Sequence, residues 1–274
     1  MLNYRSEGKG TTVLLLHAFP LSSLMWEREL EEIGRYARVL APDLPGFGGS
    51  IRQQTPSLSG MAEEVAGLLD HLKIREPVVL GGLSMGGYVA FEFVRKFPTR
   101  IRGLMLFSTR ASADTVEARV KRYDVIDRIT KSGFEDFAKK ISEKLVGRTS
   151  LQTRSQIVDK ITAMILANKP EGTMDALRAM AERNDSTKLL YSIQAPCLII
   201  AGEEDEIIPS SEAQLMCKQI VHAQVQTVLK AGHLVNLECP ENFSLAVRVF
   251  LQAGVLNRAF SSAAPRGSEG SSDF

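Results

Sequence analysis

Ser84 stands in Gly82-Leu83-Ser84-Met85-Gly86, directly behind the apolar run Pro77-Val78-Val79-Leu80. A serine flanked at two removes by glycine, between an apolar run and a helix-spaced segment, is the pattern of a nucleophile at the apex of a sharp strand-to-helix turn. Such a turn forces strained backbone angles on the serine and leaves no room for side chains at 82 and 86, and Gly81 and Gly87 extend the same permissiveness. Val89, Ala90, Phe93, Val94 and Phe97 then recur at helical spacing until Pro98 stops the pattern. The pentapeptide alone arises by chance in about one chain in ten of this length. The order strand, turn, helix therefore carries the weight.

A serine hydroxyl is a poor nucleophile at neutral pH and needs a base within hydrogen-bond reach, with an acid to orient that base. Of the four histidines, His71 lies in a helical pattern and His222 in a polar stretch, so surface roles suit both. His17 ends an apolar run. His233 follows the run Val225 to Leu229 in Lys230-Ala231-Gly232-His233, on a loop where an imidazole can face the serine, and is the best candidate base. For the acid, Glu203, Glu204, Asp205 and Glu206 lie just beyond the run Leu198 to Ala201, where catalytic groups collect at the carboxyl ends of open α/β sheets. Chemistry alone leaves the four carboxylates in competition, with a merely solvated acidic loop as the bland alternative.

The elements that must position these groups are short apolar runs alternating with amphipathic stretches: Val13 to Leu16, Val39 to Ala41, Val78 to Leu80, Leu104 to Phe107, Leu198 to Ala201 and Val225 to Leu229. That rhythm predicts an α/β fold with a parallel sheet. Leu58, Met61, Val65, Leu68, Leu69 and Leu72 mark one sheet-packing helix, and Phe243, Val247, Phe250 and Leu251 another. From about 111 to 190 the rhythm breaks. Phe134, Phe137, Ile141 and Leu145, then Ile157, Ile161, Met164 and Ile165, follow helical spacing with no convincing strand between them. The organisation expected is a core over 1–110, a helical insertion over 111–190, the rest of the core over 191–258, and a disordered Ser/Gly-rich tail over 259–274.

With 33 basic and 32 acidic side chains, the formal charge of +1 favours neither nucleic acid nor an anionic membrane as partner, which leaves small molecules. The start Met1-Leu2-Asn3-Tyr4-Arg5 lacks the apolar core of a secretory signal, and no apolar run reaches bilayer length, so a cytoplasmic protein is expected. Cys197, Cys217 and Cys239 are odd in number and lack metal-ligand spacing; buried structural thiols are expected, with no metal and no other cofactor.

Several separated segments resemble the α/β-hydrolase superfamily over about residues 2–258. Gly82 to Gly87 matches its nucleophile elbow, His17-Ala18-Phe19-Pro20 resembles its oxyanion segment, and Asp43-Leu44-Pro45-Gly46-Phe47-Gly48-Gly49-Ser50 resembles its Asp-x-x-Gly-x-Gly-x-Ser segment. Gly202-Glu203-Glu204-Asp205 with Pro209 looks like the acid loop, and Ala231-Gly232-His233 with Asn236 to Glu241 closes the set. The resemblance implies a mostly parallel central sheet flanked by helices with an inserted helical cap. It also implies a triad of Ser84, Asp205 and His233 in that chain order, and an oxyanion hole formed by the N–H groups of Phe19 and Met85. His17 then braces the oxyanion loop. Two departures stand out. Ala18 replaces the usual glycine, tolerable if its φ stays negative. Only Leu2 to Arg5 precedes the first core strand, so a missing first strand and a frayed edge are expected.

The reaction expected is hydrolysis of small carboxylic esters through an acyl-enzyme on Ser84. Hydrolysis of a lactone or of a carbon–carbon bond in a β-diketone by the same triad is the alternative, with a perhydrolase-like side activity suggested by Pro20. A non-catalytic small-ligand receptor on the same fold is the alternative of another class. Met164, Ile165, Met174, Leu177 and Met180 are candidates for the pocket wall, although the insertion's own core is the favoured reading for most of them. Arg110 and Arg178 are candidates to bind a substrate carboxylate, against an ordinary solvated role.

Overall fold

The computed structural model describes residues 1–256; the tail expected over 259–274 lies outside the described residues. Seven strands form one sheet: β1 Tyr4–Glu7, β2 Thr12–Leu16, β3 Arg38–Pro42, β4 Val78–Leu83, β5 Ile101–Phe107, β6 Cys197–Gly202 and β7 Ala223–Val228, in the spatial order β1-β3-β2-β4-β5-β6-β7. All neighbouring pairs are parallel except β1 with β3. β2, β4 and β6 are buried along their whole length, because a strand covered by helices on both faces needs apolar side chains at every position. β7, at the far edge, instead alternates between half-buried and exposed positions over most of its length. The opposite edge is paired after all. Tyr4 to Glu7 run antiparallel to Pro42 to Val39, so the fraying expected from the short N-terminus does not occur at these residues.

Helices α1 Glu27–Gly34, α2 Leu58–His71 and α3 Met85–Lys96 connect the first strands. α2 starts where Ser57 accepts a hydrogen bond from the Gly60 amide, and it buries Leu58, Met61, Val65, Leu68 and Leu69. Between β5 and β6 the chain makes five α-helices and no strand: α4 Val116–Ser132, α5 Phe134–Lys144, α6 Arg148–Thr153, α7 Ser155–Leu166 and α8 Pro170–Ala181. α9 Ser210–Gln219 follows β6, and α10 Val235–Glu238 and α11 Pro240–Phe250 follow β7. None of the described helices is long and apolar enough to cross a membrane.

The strand order decides where a site can form. From β2 the chain steps outward to β3, then returns past β2 to β4, so the connections leave the carboxyl ends of β2 and β4 in opposite directions. A crevice opens at such a reversal. Phe19 follows β2 and Ser84 follows β4, which places both at that crevice.

Candidate active site

Ser84 occupies the turn between β4 and α3 at φ 54° and ψ −111°, a left-handed conformation that L-residues adopt at a cost. Four hydrogen bonds hold it there. Its amide donates to Phe107 O at 2.9 Å, and its carbonyl accepts from the Gly87 and Tyr88 amides and from Thr109 Oγ1. A Cβ on Gly82 would lie 2.3 Å from the Gly86 oxygen, and one on Gly86 would lie 2.2 Å from the Leu16 oxygen, so both glycines are steric requirements of the turn.

His233 is 2% exposed, and its Nδ1 lies 2.8 Å from Asp205 Oδ2. The other Asp205 oxygen accepts from the amides of Ile207 and Ile208, both at 2.9 Å. A carboxylate only accepts, so the contact needs the proton on Nδ1, which in a neutral ring leaves the Nε2 lone pair unprotonated. The neighbouring carboxylates go elsewhere: Glu203 accepts from the Lys230 amide, Glu204 from Thr149 and Arg148 on the inserted helices, and Glu206 is exposed. Ser84 and His233 line one cavity of about 260 Å³. Among the described residues no hydrogen bond joins them.

Met85 is the first residue of α3, so its amide is among those the helix leaves without an intrahelical acceptor, at the positive end of the helix dipole. Phe19 lines the cavity on a tightly wired loop that includes a cis peptide bond to Pro20. His17 is the wire's centre. Its Nδ1 lies 3.0 Å from Ala18 O, and its Nε2 accepts from the Leu44 amide at 2.9 Å. Burial lowers its pKa to about 4, despite the Ala18 carbonyl and the Asp43 charge, so the ring is neutral and both nitrogens are engaged. Ala18 has no positive φ, so its methyl group carries no left-handed strain. Asp43 accepts from Ser23 N, Asn3 Nδ2 and Gly49 N. Burial alone would raise its pKa, but these bonds more than offset that and lower it.

The inserted helices form most of the opposing wall of the cavity, through Arg122, Val125, Phe137, Ile141, Leu177 and Met180 among others. Of the pocket candidates read from the sequence, Arg110, Leu177 and Met180 share the cavity with Ser84. Met164, Ile165, Met174 and Arg178 do not. Met164 is buried with the hydrophobic core, and Arg178 is held 3.1 Å from Asp175, which also pairs with Arg52 at 2.6 Å. His71 and His222 are exposed. Cys197 is buried, whereas Cys217 and Cys239 are only half-buried, and all three thiols are free.

Three residues that sequence reasoning passed over shape the site. Asn168 donates to Pro20 O at 3.0 Å and accepts from Gly48 N at 2.8 Å, tying the end of α7 to both loops around the crevice. Glu238, wholly buried, accepts from Gly232 N on the histidine loop and from Gly147 N and Ser150 Oγ on the insertion. Burial raises its pKa, although those same bonds oppose the shift. Arg122 faces the cavity from α4; the spacing of Ala118, Arg122 and Val125 at i, i+4 and i+7 was a readable sign of that face. No group of three or more His, Cys, Asp or Glu among the described residues is placed to hold a metal ion.

The alpha/beta hydrolase fold family matches the chain over residues 11–240, and the chain belongs to that family. A thermophilic esterase from Thermogutta terrifontis, solved with malate bound, superimposes with a TM-score of 0.88 at 39% identity, covering 92% of this chain and 93% of that one. The 3-oxoadipate enol-lactonase 2 of Acinetobacter baylyi is 26% identical over 92% of this chain and 93% of its own length. A pimeloyl-[acyl-carrier protein] methyl ester esterase of Pectobacterium carotovorum is 26% identical over 92% of this chain and 99% of its own.

Proposed function

We propose that the protein is a serine carboxylesterase acting on small esters. The observation that carries this reading is the pairing of His233 with Asp205 at 2.8 Å in the cavity where Ser84 projects from a strained turn. In the first half-reaction His233 Nε2 takes the Ser84 hydroxyl proton as Oγ attacks the ester carbonyl, and Asp205 stabilises the resulting imidazolium. The amides of Phe19 and Met85 are the donors aimed at the developing oxyanion, a type of contact worth about 2.7 to 4 kcal/mol per donor. Collapse of the tetrahedral species expels the alcohol, which leaves with the proton held by His233. Water then repeats the sequence on the acyl-enzyme and releases the acid.

Residues 111–190 serve as the cap that covers the crevice and selects substrates. A cavity of about 260 Å³ suits a compact substrate. The likeness to an enol-lactonase supports a second reading, a lactone as substrate, which the same groups open by the same attack. A fluorophosphonate probe tests the proposal: it should label Ser84 in the native protein, and Ser84→Ala should remove both the label and aryl-ester turnover. Turnover that persisted in Ser84→Ala would overturn it.

A further inference from the structure

Three guanidinium groups converge on one buried carboxylate beside the cavity. Asp114, whose side chain is fully buried, takes Arg110 Nη2 at 3.1 Å, Arg183 Nη1 at 2.6 Å, and both Nε and Nη2 of Arg122. Burial would raise the pKa of Asp114, but the bond from Arg122 and the charges of Arg122 and Arg183 more than offset it and lower it. One negative charge therefore meets three positive ones.

The arginines are not equivalent. Arg183 is buried, stacks 4.3 Å from the Tyr88 ring centre, donates to Met180 O and Ser112 O, and does not line the catalytic cavity. It is the structural brace. Arg110 and Arg122 do line the cavity with Ser84 and His233, and Lys121 adds a third cation there, against Asp114 as the cavity's acidic lining residue. Their unused donors are the telling detail. Arg110 Nε, like Arg183 Nε, is buried without a hydrogen-bond partner, but Arg122 Nη1, on the cavity wall, meets only the thioether of Met180 at 3.6 Å. A guanidinium is always charged, and a buried donor left unpaired is costly. An excess of cation on the wall of a small cavity, with Arg122 Nη1 bonded to no oxygen, is matched to a planar anion.

We propose that Arg110 and Arg122 form an anion-binding arm of the active site, and that the preferred substrates are esters carrying a free carboxylate, such as half-esters of short dicarboxylic acids. Resting on the esterase reading, the proposal narrows its substrate class. The guanidinium pair holds the carboxylate by charge-assisted hydrogen bonds while the ester carbonyl meets Ser84.

The test pairs monomethyl glutarate with dimethyl glutarate. Specificity constants of the native enzyme should favour the anionic half-ester at least tenfold, and added salt should narrow the gap. Arg110→Gln and Arg122→Gln should each cut that ratio about tenfold, chiefly through KM, with Arg122→Lys restoring part of it; Lys131→Gln, on the exposed side of the same helix, should leave it alone. If Arg122→Gln fails to fold because Asp114 is stranded, the double change Asp114→Asn with Arg122→Gln removes both partners and should show the same loss. Calorimetric titration of Ser84→Ala with the two esters separates the inference from the reading beneath it. Tighter binding of the half-ester by Ser84→Ala, with the native enzyme cleaving neither ester, would uphold the arm and sink the esterase. Efficient turnover of both esters with equal binding, or a ratio untouched by the arginine variants, would overturn the arm.

Discussion

Asp205 and its three acidic neighbours differ less in chemistry than in what surrounds them. Asp205 alone among them pairs with His233, with its second oxygen fixed by two amides. Asp205→Asn should therefore collapse turnover of an activated ester, by about 10⁴-fold if it behaves as the equivalent change in known triads, whereas Glu203→Gln and Glu206→Gln should keep most activity. His233→Ala should match Ser84→Ala, because members of one catalytic unit are not additive. Comparing kcat across this set of variants checks the assignment; survival of Asp205→Asn would defeat it.

Glu29 offers a residue-scale prediction on stability. It is 1% exposed on α1 with neither carboxyl oxygen hydrogen-bonded, and burial raises its pKa from 4.5 to about 8. The folded state then holds a proton that the unfolded chain gives up above pH 4.5. Stability fully present below that pH is lost as pH rises towards 8, at about 1.4 kcal/mol per pH unit. His17 acts in the opposite sense: its pKa falls from 6.5 to about 4, so its contribution is present above 6.5 and lost as pH drops towards 4. Urea unfolding of the native protein and Glu29→Gln across this range checks the first effect. The difference between the two should shift steadily towards the variant as pH rises; a constant difference would show that Glu29 does not titrate in that window.

At the scale of elements, the inserted helices are joined to the crevice by particular bonds. Asn168 reaches from the end of α7 to Pro20 O and Gly48 N, and Phe137 of α5 packs 6.3 Å, centre to centre, from the Phe19 ring. Asn168→Asp keeps an acceptor for Gly48 but removes the donor to Pro20. Because the Phe19 amide is a proposed oxyanion donor, this change should lower kcat about tenfold with little change in KM, while a merely structural loss would lower the yield of folded protein and leave kcat per active site intact. The wall makes a separate prediction. One methylene in an apolar pocket discriminates by roughly 1 to 3 kcal/mol, so Leu177→Val and Met180→Ala should shift acyl-length preference by about ten- to a hundredfold. Met164→Leu should not, since Met164 does not line the cavity. Specificity constants over short and medium acyl esters decide the point.

For the whole molecule, the proposed chemistry uses a side-chain nucleophile and a side-chain base, so dialysis against a strong chelator should leave ester turnover unchanged. Loss of activity restored by a divalent metal would overturn that mechanism. Read locally, the chain announces its strands through runs of apolar residues, its turn through glycines that backbone crowding demands, and its helices through spacing, because each signal depends on neighbours a few residues apart. The candidate nucleophile at 84 and the candidate base at 233 stand out in the sequence for that reason. The acid was ambiguous on local chemistry and was narrowed to Asp205 by family resemblance; in the fold, the pairing spans 28 residues and depends on how the loops after β6 and β7 meet. The same holds for the arginines. Arg110 and Arg178 looked alike in the chain, and each pairs with an aspartate at 3.1 Å, yet only Arg110 also lines the cavity with Ser84. Local patterns were enough to specify the kinds of element and the chemistry of the turn. Tertiary structure decided which charged groups face the cavity and which are spent on one another, because burial and long-range pairing exist only once the sheet and the insertion have closed around the crevice.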